Sequence, residues 1–150
     1  MDLFTAMNIS ARGMRAERVR LNVAAMNVAN AHVTRTLEGG PYRAKSVVFE
    51  EEPLAARARD GRAATSFDDR LRSALSSVKV SRIVEDKEPF MEVFDPTHPD
   101  ADENGVVKLP NVNIMEQMVD VMAATRAYEA NVTLMESAKS MALKTLELAR

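Results

Sequence analysis

The sequence predicts a mainly α fold, in which two long terminal helices form an antiparallel coiled coil and a small middle region contains a β-hairpin. Three observations predict this fold. All six prolines and four of the five glycines lie between Gly39 and Pro110, so helix-breaking residues are concentrated in the middle of the chain. Both ends carry apolar residues at helical spacings of three and four. The middle contains short runs of β-branched and aromatic residues.

The C-terminal helix is the clearest predicted element. Asn113 can cap it, Glu116 follows three residues later, and neither glycine nor proline occurs from Ile114 to Arg150. Apolar residues recur about every 3.5 positions, which favours a coiled-coil partner. The helix would be roughly 50 Å long, far beyond the ~15 Å radius of gyration of a compact domain this size. We therefore expect its stripe to lie at an assembly interface, with Met118, Met122, Tyr128, Val132 and Met135.

The N-terminal helix shows the same pattern less regularly. Gly13 costs ~1 kcal/mol inside a helix relative to alanine, which indicates a bend or a close helix contact. Asn27 and Asn30 mark the expected end of the helix. The expected interface residues on this helix are Met7, Met14, Leu21 and Val28. A solvated basic ridge is also predicted, made of Arg12, Arg15 and Arg18.

These elements predict a division of the chain into two regions. The helices at 1–35 and 110–150 would together form an inner coiled-coil assembly domain, and 36–109 would be an irregular, β-containing middle region. The predicted strands are 42–50, 78–86, 89–95 and 105–110, of which the last two form a hairpin. A variable surface loop is expected near 54–77, with a short helix around Phe67 to Leu75.

The run DADENG at 100–105 resembles the start of a calcium-binding loop. Such a loop requires a glutamate at its twelfth position, where this chain has Asn111. A strand pattern and Pro110 also follow, where a helix should stand. We therefore interpret the run as a polar turn in which Gly105 has a positive φ, and we predict no metal.

Composition excludes several classes of site. The chain has no cysteine, which excludes thiolate metal ligands and thiol nucleophiles, and its two histidines are isolated. Its net charge of −2 indicates no general attraction to nucleic acid. The start MDLFTAMNIS lacks a basic segment and a long apolar run, so neither a cleaved signal peptide nor a membrane anchor is expected. We predict no cofactor, no small-molecule substrate and no enzymatic activity.

Five segments, in order along the chain, resemble one protein family. They are NVANAHVTRT (27–36), EGGPYRAKSVVFE (38–50), PFMEVFDPTHPDADENGVV (89–107), PNVNIMEQMVD (110–120) and RAYEANV (126–132). Together they resemble the flagellar rod and hook axial proteins, and among these the proximal-rod members. The combination of EGGPYR, DPTHPDAD-x-x-G and PNVN is specific, whereas a heptad helix alone is not. The chain departs from the family's usual residues at Arg12, Met14, Leu37 and Val106.

The resemblance implies a structural subunit of the proximal rod of the bacterial flagellar basal body. Such subunits polymerise with copies of themselves and with other rod proteins into a hollow drive shaft. Further implied partners are basal-body components at the inner membrane and the flagellar type III export apparatus. The implied location is the rod where it crosses the periplasm, reached by export without a cleaved signal peptide.

Other interpretations stay open at this point. Within the structural class, the chain could be another rod subunit of similar build. From a different class, it could be a soluble helical adaptor that binds a partner helix, and such an adaptor should have stable ends as a monomer or dimer. An enzyme ranks last because only the acidic turn favours it.

Overall fold

The computed structural model describes residues 3–37, 39–54 and 75–148. Helix α1 spans Leu3–Ala29 and helix α2 spans Ile114–Leu148, with 27 and 35 residues. The strands are β1 (Lys45–Pro53), β2 (Ser76–Glu85), β3 (Met91–Phe94) and β4 (Val106–Leu109). The two long helices and the hairpin are confirmed. The predicted loop at 54–77, with its short helix, falls almost entirely on 55–74, outside the described residues.

The helix boundaries follow from capping and backbone chemistry. The Asn113 side-chain oxygen accepts the backbone N–H groups of Met115 at 3.1 Å and Glu116 at 3.4 Å. This satisfies two of the N–H groups that every helix leaves unpaired at its start, and it confirms Asn113 as the cap. At the end of α1, the Asn30 side chain donates to the Met26 carbonyl at 2.8 Å. Both helices therefore begin or end at asparagines visible in the sequence.

The four strands lie between α1 and α2 along the chain and form two antiparallel two-stranded sheets. In the first, β1 begins at Lys45, three residues later than predicted. Side chains distant in the sequence bind the backbone at that point, where the Ala44 N–H donates to the Asn111 side chain and the Lys45 N–H donates to the Asn27 side chain, both at 2.9 Å. The second sheet pairs β3 with β4, with Met91 opposite Leu109 and Phe94 opposite Val106. It is the hairpin that the sequence predicts.

The acidic run DADENG forms the turn that leads into β4. Gly105 has a φ of 75°, and its N–H donates to the Asp102 carbonyl at 2.8 Å. Its carbonyl accepts the Asp95 N–H at 2.9 Å. Hydrogen bonds from the Thr97 side chain and backbone, then the charge of His98, lower the pKa of the Asp95 carboxyl. The predicted turn is confirmed, and no group of three or more potential metal ligands occurs within the described residues.

The chain divides into two compact units, each of which takes part of both helices. The first unit contains Met1–Arg18, Phe49–Ser81 and Thr125–Arg150, and the second contains Val19–Val48 and Arg82–Ala124. Across the described residues, the buried apolar side chains are six alanines and two valines. Within the same described segments, neither helix has a stretch apolar enough to span a membrane.

Candidate assembly interface

A single asparagine organises the second unit. Asn27 on α1 is 1% exposed and is the largest fully buried side chain among the described residues. Its amide nitrogen donates to the Lys45 carbonyl at 2.7 Å and to the Gln117 side chain at 2.8 Å. Its oxygen accepts the Tyr42 hydroxyl and the Lys45 N–H, each at 2.9 Å. All four hydrogen-bonding positions of the amide are therefore used, joining α1 to α2 and to the start of β1.

The two helices run antiparallel within the second unit. Asn27 meets Gln117, while Arg20, two turns earlier on α1, donates to Asp120 at 2.7 Å. Going from Arg20 to Asn27 along α1, the partners on α2 go from Asp120 back to Gln117, so the two helices run in opposite directions. The side chains of the Arg20–Asp120 pair are 32% and 42% exposed, so the pair contributes at most ~1 kcal/mol. The four directed hydrogen bonds of Asn27 add specificity that this exposed pair alone does not supply.

Tyr42 is the titratable member of the Asn27 network. Its hydroxyl donates to Asn27. Burial raises the pKa of Tyr42 above its ordinary value, and the negative charge of Glu85 raises it further. Both effects favour the neutral hydroxyl, which is the form that donates the hydrogen bond.

The first unit joins the helices by close approach. An ideal Cβ placed on Gly13 would lie 3.0 Å from the Asn131 side-chain oxygen and 3.1 Å from its nitrogen. Asn131 is held there because its nitrogen donates to the Ala127 carbonyl at 2.8 Å. Ser10 and Ala138, which are also small, are buried in the same unit. The predicted close helix contact at Gly13 is therefore present.

Arg12 corrects one expectation from the sequence. We expected it on a solvated ridge with Arg15 and Arg18, and those two side chains are exposed. Arg12 instead pairs with the Glu52 carboxylate and donates to the Ser77 hydroxyl at 3.3 Å. These contacts connect α1 to both strands of the first sheet within the first unit. The sequence pattern missed this because Glu52 and Ser77 are 40 and 65 residues away.

Four of the expected interface residues line one open groove in the first unit. Met7 and Met14 of α1 and Val132 and Met135 of α2 form its apolar wall. Glu136 and Lys139 stand at its rim, and the groove has a volume of about 300 Å³. Methionine side chains are flexible and polarizable, and they suit surfaces that must fit non-identical neighbours. The groove can therefore take an apolar group from another chain.

The other five expected residues lie outside this groove, and three of them are exposed. Met118 is 48% exposed and Met122 is 53% exposed on α2 in the second unit. Tyr128, in the first unit, is 39% exposed. Leu21 and Val28 on α1 are half-buried. Exposure therefore varies within the expected set, and its role as an assembly interface stays a prediction.

The faces that are buried differ from the apolar stripes in the sequence. On α1 the buried positions include Ser10, Gly13 and Ala16 in the first unit, and Val23, Ala24 and Asn27 in the second. These have helical spacing but small or polar side chains. The stripe containing Met7, Met14, Leu21 and Val28 lies on the neighbouring face. Apolar periodicity found that stripe because large residues dominate such a pattern.

Comparison with known proteins gives a consistent result. The family model "Flagellar basal body rod FlgEFG protein C-terminal" matches residues 103–148. The flagellar basal-body rod protein FlgC of Borreliella burgdorferi is 41% identical over 147 residues, covering 94% of this chain and 93% of that protein. FlgC of Salmonella typhimurium is 39% identical over 148 residues, covering 99% and 98%. FlgC of Bacillus subtilis is 39% identical over 161 residues and covers both chains completely.

Proposed function

The chain belongs to the family of flagellar basal-body rod proteins FlgC, and from this premise we propose how it builds the rod. It is a structural subunit of the flagellar basal-body rod. It polymerises in the proximal rod with copies of itself and with other rod proteins, and the product is a hollow drive shaft. We propose no enzymatic role for it, and the naming of its relatives as rod proteins supports this.

The exposure of large apolar side chains is the observation that supports the assembly mechanism. Among the described residues the buried apolar side chains are alanine and valine, while the larger apolar side chains are half-buried or exposed. A soluble monomer rarely exposes large contiguous apolar patches unless they bind something. The exposed set on α2 includes Met115, Met118, Val119, Met122, Leu134, Met141, Leu143 and Leu146. These side chains are proposed to become buried when subunits pack against one another.

The two helices are proposed to act as one antiparallel coiled coil in the assembled rod. The antiparallel direction in the second unit supports this, as does the close approach at Gly13 in the first. The proposed subunit contacts use Met7, Met14, Val132 and Met135 around the groove, together with Leu21, Val28, Met118, Met122 and Tyr128. Export by the flagellar type III apparatus and contact with inner-membrane components complete the proposal.

The test replaces one apolar groove residue by a charge. Val132→Asp removes apolar contact worth ~1.5–3 kcal/mol and forces a carboxylate to be desolvated without a partner, at a cost of several kcal/mol. Because the penalty recurs in every copy, we expect loss of incorporation into basal bodies and loss of swimming, with normal expression. The variant is introduced into a strain that lacks the natural chain.

A matched variant controls for charge as such. Lys139→Glu changes a rim residue of the same groove and should have a milder effect on swimming. Circular dichroism of both purified variants should show unchanged helix content. Normal rods built from Val132→Asp protein would show that this groove is not an assembly interface.

A further inference from the structure

A fully exposed leucine stands at the tip of the turn that follows α1. Leu37 has a relative exposure of 109%. The turn is closed by the Thr36 N–H, which donates to the Gly40 carbonyl at 2.8 Å, and by the Gly39 N–H, which donates to the Thr36 carbonyl at 3.1 Å. Gly39 and Gly40 have φ values of 87° and 80°, which suit glycine in a tight turn. The tip is therefore held by hydrogen bonds while its leucine side chain stays in solvent.

A single exposed leucine is common on protein surfaces and by itself indicates nothing. Leu37 is informative because the same chain also has an apolar groove of a size that fits a leucine side chain. The groove formed by Met7, Met14, Val132 and Met135 has a volume of about 300 Å³ and apolar walls. An apolar cavity of about 150 Å³ already admits a molecule the size of benzene. The groove is therefore large enough for an isobutyl side chain and part of the turn that carries it.

The tip and the groove also carry side chains of opposite charge. Arg35, two residues before Leu37, is 80% exposed on its side chain and lies 4.0 Å from Asp100. This distant, exposed contact leaves guanidinium donors available for a second carboxylate. Glu136 stands at the rim of the groove, three residues before Lys139. An arginine entering beside Glu136 is attracted, while Lys139 disfavours the reversed orientation.

We propose that Leu37 of one copy inserts into the groove of a second copy, with Arg35 placed beside Glu136. This inference rests on the proposed function, because it assumes that copies of the chain meet in the rod. The tip and the groove are different surfaces, so the contact is heterologous. Each copy that receives a leucine still presents its own, and the contact can repeat along an assembly instead of closing after two copies.

The absence of cysteine from the chain allows a direct cross-linking test. Leu37→Cys and Met135→Cys are combined in one chain, which is expressed in a strain lacking the natural protein. Basal bodies are then isolated and oxidised. The proposal predicts disulfides between positions 37 and 135 of different copies, identified by peptide mass spectrometry. Because the contact is head-to-tail, a ladder extending beyond the dimer is expected.

The matched control moves the second cysteine by one position. Leu134 is 60% exposed and directly precedes Met135, but it does not line the groove. The pair Leu37→Cys with Leu134→Cys should give at least about tenfold less cross-linked product. Each single-cysteine variant can give dimers only. Equal yields from the 135 and 134 pairs, or no cross-link from either in assembled basal bodies, would overturn the proposal.

Two further outcomes separate this inference from the function on which it rests. A cysteine-to-amine cross-linking reagent attached at position 37 or 135 that captures a different rod protein, and not a second copy, would overturn the assignment to a second copy while leaving the rod function intact. Absence of the unmodified chain from basal bodies would instead contradict the rod function itself.

If the double-cysteine chain fails to incorporate, charge reversal decides the question. Arg35→Glu and Glu136→Arg should each lower incorporation about fivefold, the upper range for an exposed ion pair. Combining them should restore it. Failure of the combination to restore incorporation would contradict the proposed pairing.

Discussion

The two units of the chain hold the same pair of helices by different means. In the second unit, Asn27 and Gln117 meet in a saturated network of directed hydrogen bonds. In the first, Gly13 lets Asn131 approach closely, and an open apolar groove is left nearby. Directed hydrogen bonds are satisfied within one chain, whereas an open groove is filled only by something else. The helix contact of the second unit is therefore satisfied by groups of the same chain, whereas the first unit leaves a groove beside its helix contact that we propose another chain fills.

The largest expected effect comes from removing the network of the second unit. Asn27→Leu leaves the Tyr42 hydroxyl, both backbone groups of Lys45 and the Gln117 side chain without their partner. Each buried polar group left unpaired costs about 1–3 kcal/mol. Because some of them regain water, we expect a total loss of ~3–5 kcal/mol of unfolding free energy, within the range of severe single substitutions. Urea denaturation followed by circular dichroism measures it.

Asn30→Ala is the matched control, because the same residue type lies near the same helix end. The Asn30 side chain makes one exposed hydrogen bond, to the Met26 carbonyl. Its removal should cost no more than ~1 kcal/mol. Equal losses for the two asparagines would mean that the second unit does not depend on its central network.

A smaller effect is expected at the close contact of the first unit. Gly13→Ala gains up to ~1 kcal/mol of helix propensity, but the new Cβ would lie 3.0 Å from the Asn131 side chain. Asn131 is restrained by its bond to Ala127, so we expect net destabilisation of ~1 kcal/mol from overpacking. In an Asn131→Ala background the same change should become stabilising.

The natural chain, the two single variants and the double variant form a double-mutant cycle. Thermal unfolding of these four proteins gives the coupling energy between positions 13 and 131. We expect ~1–2 kcal/mol, typical of residues in direct contact. Additive effects of the two substitutions would show that close packing of Asn131 is not the reason a Cβ is disfavoured at position 13.

The smallest expected effect is the alkaline sensitivity of Tyr42. Its pKa is raised in the folded chain, so its contribution to stability is fully present below the unfolded pKa of ~10. That contribution is lost as the pH rises through the raised folded pKa. Urea midpoints measured at about pH 8 and pH 11 should therefore fall further for the natural chain than for Tyr42→Phe. An identical fall in the urea midpoint of both proteins would show that ionisation of Tyr42 does not cause the alkaline loss of stability.

Local rules predicted the elements of the fold well. The absence of glycine and proline from α2, together with the Asn113 cap, determined its start at Ile114. The β3–β4 pairing and the positive φ of Gly105 followed from strand and turn chemistry in adjacent segments. Each of these features depends on residues close together in the chain, which is the information that a single sequence carries most directly.

The buried contacts were much harder to predict. Asn27 was interpreted as a helix-end residue because its partners Lys45 and Gln117 are 18 and 90 residues away. On α2, the periodicity drew attention to Met118 and Met122, which are exposed, while Ala124 is fully buried at 0%. When apolar residues cover more than one face of a helix, spacing identifies the helix but not which face packs inside. Alanine and glycine also contribute little to an apolar pattern, although they permit the closest approach.

Amide hydrogen exchange on a proven monomer tests the central comparison most directly. Local stability follows buried contacts and protected hydrogen bonds. We expect the amides of 19–29 and 114–124, in the second unit, to exchange more slowly than those of 5–18 and 125–148, in the first. After assembly into basal bodies, protection in the first unit should rise to match the second. Equal and strong protection along both helices of the monomer would contradict this account and would favour a self-sufficient helical adaptor.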